Sequence, residues 1–359
     1  MILDRTREKI NGLLVVCGMG TGVLLLVRSE VAAEGVRRGI NLCLETVIPS
    51  LFIFMIFCDL FAGLGNGNIL LRPFGMLASV YRLPKATAPA LLLGVIGGYP
   101  IGARMAATMK REGKLNSQQA GRLLTVAYGA SPAFMAGAGW YVFGNGKLGL
   151  ALWGCQLAAG VITGIILSRF YPREQTECCV SQGGGPGQFV GAVVSAVRGM
   201  GIICGFVVVF SAIGSYLNLL PGGIGRWITA GMEVSVGCSA AKGLPFYPAL
   251  LCVAGCCSLG GVSVWMQNAC FLRGSGISMR LFFISRLVHL PLSLLITLAA
   301  DRIFSFSGWM AGEVFCSFGT AVPSIGSGNL VSSVFLVVCC LMLLPGGRKV
   351  CYNTSDFTR

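Results

Sequence analysis

The stretch that decides the fold is TAPALLLGVIGGYPIGARMAATMK, Thr87 to Lys110. About ten apolar residues stand on each side of Gly97-Gly98-Tyr99-Pro100-Ile101-Gly102. Ten helical residues cover about 15 Å, half of a hydrocarbon core that is roughly 30 Å thick. Each side is too short to cross a bilayer and too apolar to lie in water. The pattern therefore predicts two half-helices that meet near the midplane. Backbone polar groups at that depth must be satisfied by protein or by a wet cavity. A break there exposes free N–H groups and the positive end of a half-helix dipole.

Two further segments read the same way. Gln119 to Val142 is interrupted at Gly129-Ala130-Ser131-Pro132, where Ser at the N-cap and Pro at the first helical position mark a helix start. Ala249 to Leu272 is interrupted at Ser258-Leu259-Gly260-Gly261. The first and third segments match at an offset of 159, with Pro89-Ala90-Leu91-Leu92 on Pro248-Ala249-Leu250-Leu251 and Gly102 on Gly261. Pro49–Phe57 and Gly205–Ile213 occupy similar places upstream. Paired breaks in two repeats are the best sequence pointer to a transporter binding site; a kink tolerated for packing is the plainer reading of any one of them.

The rest of the chain agrees with a membrane setting. Its 359 residues are 55% hydrophobic and 11% charged, against about 25% charged in a soluble domain. Mean hydropathy is +0.78. These values exclude an ordinary soluble enzyme, a disordered chain and a secreted disulfide scaffold. The net charge of +14 comes from Lys and Arg in short breaks between apolar runs. It fits orientation by positive loops and an anionic leaflet, with no nucleic-acid partner. Most of the 16 cysteines lie in apolar runs and act as small hydrophobes; Cys178-Cys179 is the one cluster in a loop. A single histidine, His289, excludes a metal site built on several, and no phosphate loop is present.

The expected fold is all-α and polytopic, with two helical repeats, broken midplane helices and flanking transmembrane helices. Residues 1–29 form an N-terminal anchor around the span Asn11 to Val27. Residues 30–168 form the first repeat, in which Glu30–Asn41 is an amphipathic interfacial helix, Thr46–Leu64 an apolar segment and 66–85 a polar connector. A loop at 169–187, with Gly183-Gly184-Gly185-Pro186-Gly187, separates it from the second repeat at 188–300. Residues 301–359 hold a loop, a last span at about Gly326–Leu344 and a polar tail. Leu148–Ser168 and Gly199–Leu220 are clean spans. Basic residues in both 104–122 and 273–286 favour one side for both; inverted repeats would put them on opposite sides.

Charged and polar residues near the breaks suggest chemistry. Arg104 follows the first break and shares a helix face with Thr108 and Arg111; it sits deeper than headgroup-reaching Arg111, with snorkelling as the alternative. Arg122 opens the second broken segment. A half-helix N-terminus with an arginine suits a carboxylate or phosphate. Glu233 could neutralise Arg198 or Arg286, carry a coupling proton, or fix helix register as a buried pair. Gln267 and Asn268 follow the third break and face either the same cavity or neighbouring helices. His289 reads as a hydrogen-bonded packing residue, with a proton shuttle as the alternative. Pro132 explains Ser131 as a cap, which sets aside a serine dyad.

The string Gly98-Tyr99-Pro100-Ile101-Gly102-Ala103-Arg104, then Lys110-Arg111-Glu112-Gly113-Lys114-Leu115, then Ser131-Pro132-Ala133-Phe134, resembles the YlbJ-like sporulation integral membrane proteins. That family sits with the nucleoside-recognition or Gate domain proteins. Gly231-Met232-Glu233, Gly237, Gly260-Gly261-Val262-Ser263-Val264 and Gln267 are similar in the second half. The likeness covers roughly residues 30 to 300. Tyr128-Gly129-Ala130 stands where such proteins often carry asparagines, so side-chain amides are missing there. The resemblance implies Gate-like repeats, an endospore-forming bacterium, a multi-pass cell-membrane location and a role in spore formation.

The leading expectation is a transporter-like protein, not an enzyme, without cofactor or metal. It would bind a small polar or anionic solute through Gly98, Tyr99, Pro100, Gly102, Arg104, Ser131, Pro132, Glu233, Gly260, Gly261, Ser263 and Gln267. Its partners would be the lipid bilayer and that solute, with a homo-oligomer or spore-envelope membrane proteins as further candidates. The alternative is a non-transporting membrane scaffold for spore-envelope assembly.

Overall fold

The computed structural model describes residues 28–62, 71–171 and 186–311. The expected N-terminal anchor, the Cys178-Cys179 pair and the last span at Gly326–Leu344 lie outside these residues. Every regular element among the described residues is helical. Five helical stretches are long and apolar enough to cross a membrane: Ser29–Leu60, Gly146–Ser168, Phe189–Leu217, Phe246–Leu272 and Arg280–Phe304.

The first stretch joins two segments that the sequence had separated. Helix α1 (Ser29–Leu42) passes through a π turn at Cys43–Val47 into α2 (Ile48–Ala62). The expected interfacial helix at 30–41 is therefore the start of a longer rod. Its amphipathic pattern has another cause: Gly35 and Gly39, both buried, lie against α9 (Pro186–Leu217). A Cβ on Gly35 would stand 2.5 Å from Ser215 Oγ, and one on Gly39 2.7 Å from Val208 Cα. Small residues one turn apart let the two backbones approach, while Glu34 and Arg38 pair on the outer face at 3.4 Å.

The expected polar connector at 66–85 contains a helix, α3 (Arg72–Val80), started by Pro73 in its first turn. Next come the half-helices α4 (Ala88–Gly97) and α5 (Ile101–Arg111), which pack on each other and are joined through Gly98, Tyr99 and a cis Pro100. Helix α6 (Ser117–Val126) starts in a reciprocal capping box between Asn116 and Gln119. Helix α7 (Pro132–Phe143) starts at Ser131, whose Oγ accepts from Phe134 N at 3.1 Å. Helix α8 (Gly146–Ser168) folds back on α7.

After α9 come α10 (Ile224–Met232) and α11 (Val234–Ala240), separated only by Glu233 in extended conformation. Helices α12 (Phe246–Leu259) and α13 (Gly261–Leu272) meet at Gly260, and both Gly260 and Gly261 have φ of +78°. That left-handed backbone is what a residue without Cβ allows. Helix α14 (Arg280–Phe304) runs through Pro291 without interruption, and α15 (Phe306–Ala311) closes the described chain.

Candidate functional site

The three expected breaks meet, and a fourth at Glu233 joins them. Tyr99 N–H of the first donates to Gly129 O of the second at 2.7 Å. The approach leaves no room for side chains: a Cβ on Gly98 would lie 2.5 Å from Ser131 N, and one on Gly102 1.9 Å from Ala127 O. The second and third breaks are tied by Tyr128, whose hydroxyl donates to Leu259 O at 2.8 Å. Trp265 Nε1–H donates to the same carbonyl at 2.6 Å. A Cβ on Gly260 would collide with Tyr128 Oη at 1.9 Å. The third and fourth touch where a Cβ on Gly261 would lie 2.9 Å from Met232 O. Each of these glycines is thus a point where one segment of backbone passes against another.

Beside this junction lies a small, partly open pocket with a cavity volume of about 50 Å³. Its walls include Gly94, Val126, Gly129, Trp153, Gln156 and Gly160, so it borders the second break on the α4 and α8 side. Trp153 Nε1 has no hydrogen-bond partner among the described residues. The Tyr99 hydroxyl is likewise unpartnered; its ring lies 5.0 Å from that of Tyr128, centroid to centroid.

Several expected ligand groups are committed elsewhere. Arg104 is 3% exposed, as its depth in the sequence suggested. Its guanidinium donates to Asp59, to Ser195 Oγ at 2.8 Å and to Met55 O at 3.1 Å, and it does not line the pocket. This arrangement has a simple cause. A buried charge is costly unless it is paired or well hydrogen-bonded, and α2 supplies a carboxylate 45 residues away. Arg122 points away from the junction, donating to Arg82 O at 3.1 Å with its guanidinium over the Tyr171 ring. Glu233 pairs with neither Arg198 nor Arg286. Its carboxylate caps α11, accepting from Val236 N at 2.8 Å and from Ser235 Oγ at 3.1 Å. Ser131 and Pro132 start α7 and bring the second break against Gly98. Ser263 and Gln267 are buried on α13 and bond each other at 3.4 Å. Asn268, fully buried, has no hydrogen-bond partner for either side-chain atom among the described residues.

The residue that sequence reading undervalued is Arg286. It is 2% exposed and has no carboxylate partner among the described residues. It donates to Thr125 O at 3.0 Å and Ser258 O at 3.4 Å, and its guanidinium lies 4.5 Å from the Tyr128 ring centroid. Those carbonyls belong to the last turns of α6 and α12, the negative ends of two half-helices. Cation–π contact with Tyr128 completes its surroundings. The available signal was its place in an apolar span beside Ser285 and His289. His289 fits the packing reading: Nδ1 lies 2.6 Å from Ser258 Oγ and Nε2 3.2 Å from Gln156 O.

No family model matches the chain, and no solved structure matches it. A curated relative does: the chain is 24% identical over 332 residues to the sporulation integral membrane protein YlbJ of Bacillus subtilis (strain 168), covering 79% of this chain and 81% of the relative. The match runs far beyond the string around Gly98–Arg104 that carried the resemblance, and the helices are those of a multi-pass membrane protein. This similarity over most of both chains supports kinship with the YlbJ-like integral membrane proteins.

Proposed function

We propose that this chain is a sporulation-associated, transporter-like membrane protein that binds a small polar or anionic solute where its broken helices meet, without covalent chemistry. The observation that carries the reading is the joining of the breaks through Tyr99 N–H to Gly129 O and Tyr128 Oη to Leu259 O. Breaks placed only for packing have no reason to converge. The N-termini of α5 and α13 carry no side-chain cap. Arg286 adds a buried positive charge, and a small pocket of about 50 Å³ adjoins the junction, which a rocking motion would have to widen.

Two Gate-like repeats are part of the proposal. Pro132 and Pro291 are also 159 residues apart, so the broken pair α6–α7 corresponds to the continuous α14. Helices α5 and α13 then correspond, as do α1–α2 and α9. Rocking of one repeat against the other would expose the junction to each side in turn.

The test is thermal stabilisation of the purified protein against a panel of anions, nucleosides and metal ions. Solute flux into proteoliposomes should follow for any stabilising compound. Glu233→Gln should impair that flux while the protein still inserts. One observation favours the scaffold reading: Tyr99 and Tyr128 fill the centre of the junction. A stoichiometric cross-linked partner with no stabilising solute and no flux would decide for it.

A further inference from the structure

Helix α8 sets a vertical scale. Its 23 residues, Gly146–Ser168, rise by about 34 Å, close to the thickness of a hydrocarbon core. Arg169, Phe170 and Tyr171 therefore lie at one membrane surface, and Lys147, in the first turn of α8, lies at the other. Contacts gather basic segments at the Arg169 end. Arg82 Nη1 donates to the Tyr171 and Arg169 carbonyls, and Arg122 Nη1 donates to Arg82 O at 3.1 Å. The start of α6 lies beside the loop between α13 and α14, where a Cβ on Gly276 would stand 3.6 Å from Ser117 Oγ. Segments 81–85, 110–117, 169–171 and 273–280 thus share one face. Glu112 is the one acid in these four segments, and Lys114 holds it at 2.8 Å.

At one place on this face the cations have no anion. Arg82, Lys85 and Arg169 lack a carboxylate partner among the described residues. Lys85 and Arg169 are exposed, and Arg82 is half-buried. Arg82 follows α3 in the left-handed conformation, with φ of +55°, where a helix favours glycine. Arg82 N–H donates to Ser79 O at 3.1 Å and Leu83 N–H to Ala78 O at 2.8 Å, which closes the turn. That turn needs no side chain at Arg82, yet an arginine occupies it against the backbone preference. Its carbonyl is held by Arg122 and its Nη1 by the Tyr171 carbonyl, so the guanidinium is fixed at the surface with Nε and Nη2 free among the described residues. Beneath these cations, Ile162, Ile166 and Phe170 follow one another at every fourth position on the outside of α8, exposed by 39%, 39% and 77%.

We propose that Arg82, Lys85 and Arg169 bind the headgroup of an anionic phospholipid whose acyl chains lie along Ile162, Ile166 and Phe170. Guanidinium groups suit the phosphate. The lack of a carboxylate beside them favours a lipid of net negative charge over a zwitterionic one. The apolar row directly below separates a lipid from free phosphate, which has nothing to place there. The fixed Arg82 supplies a preformed contact, and the exposed Lys85 and Arg169 close on the headgroup from either side of it.

The test is thermal unfolding of the purified full chain in detergent, titrated with phosphatidylglycerol, with phosphatidylcholine and with inorganic phosphate. Phosphatidylglycerol should raise the midpoint well above the other two. Lys85→Gln with Arg169→Gln removes two exposed cations that make no ion pair among the described residues. The phosphatidylglycerol concentration giving half the shift should then rise about thirtyfold, as expected for two surface cations. Arg82→Gly keeps the left-handed turn and should weaken the response as well. Lys147→Gln with Lys242→Gln removes equal charge at the opposite surface, where Lys242 lies over the Tyr141 ring at the end of α7, and should leave the titration unchanged. A wild-type titration in both Arg169-face variants, an equal loss in the opposite-face variant, or an equal shift with phosphatidylcholine or inorganic phosphate overturns the proposal. No transported solute enters the measurement, so its failure is distinct from failure of the transport reading.

Discussion

Arg104 and Asp59, 45 residues apart on α5 and α2, form a buried ion pair beside Ser195 of α9. The pair ties the half-helix after the first break to two continuous helices. Asp59→Asn should leave the guanidinium without a counter-charge, at a cost of about 3–5 kcal/mol. The double variant Asp59→Leu with Arg104→Met should regain most of it. Thermal unfolding in detergent of the wild type, Asp59→Leu, Arg104→Met and the double variant measures the coupling, and additive losses would show that the pair is not a unit.

Glycines at the junction should not be equivalent. Gly102→Ala places a methyl group 1.9 Å from Ala127 O, a backbone atom that cannot move aside. Gly129→Ala meets nothing within 4 Å. The first should fail to yield folded protein by size-exclusion chromatography, and the second should elute as wild type.

Tyr128→Phe removes the bond to Leu259 O but keeps the ring under Arg286 and the Trp265 bond to the same carbonyl. The loss should be about 1 kcal/mol. Tyr128→Ala also removes the ring and should cost at least twice as much, read as a lower unfolding midpoint.

Arg286→Lys keeps the charge and loses the planar fork that reaches Thr125 O and Ser258 O together. It should be nearly as destabilising as Arg286→Gln, by about 2 kcal/mol. Recovery of wild-type stability with lysine would mean that charge alone is needed there.

Ser131→Ala removes the cap on α7 and should cost about 1 kcal/mol, while Ser131→Asp should restore it. Midpoints of thermal unfolding separate the three.

Sequence alone placed the breaks well because they are local events. Gly98-Tyr99-Pro100 and Ser131-Pro132 interrupt a helix through their own backbone chemistry, so no distant residue is needed to find them. The partners of the buried charges were harder, because they depend on how helices cross. Asp59 for Arg104, and the Thr125 and Ser258 carbonyls for Arg286, lie 45, 161 and 28 residues away. The break at Glu233 was missed as a break because the eye rests on its charge; its extended backbone and the short α11 after it are the real event. Pro291 shows the reverse case, a proline that α14 absorbs without stopping.

Arg286 also constrains how the molecule is made. The carbonyl ends it satisfies belong to segments synthesised before α14, that of α6 long before. Until α14 enters the bilayer, those ends have no cation to face. Insertion of this late span is therefore the step that locks the two halves together, and chains truncated ahead of residue 280 should remain unassembled and be cleared by membrane proteases.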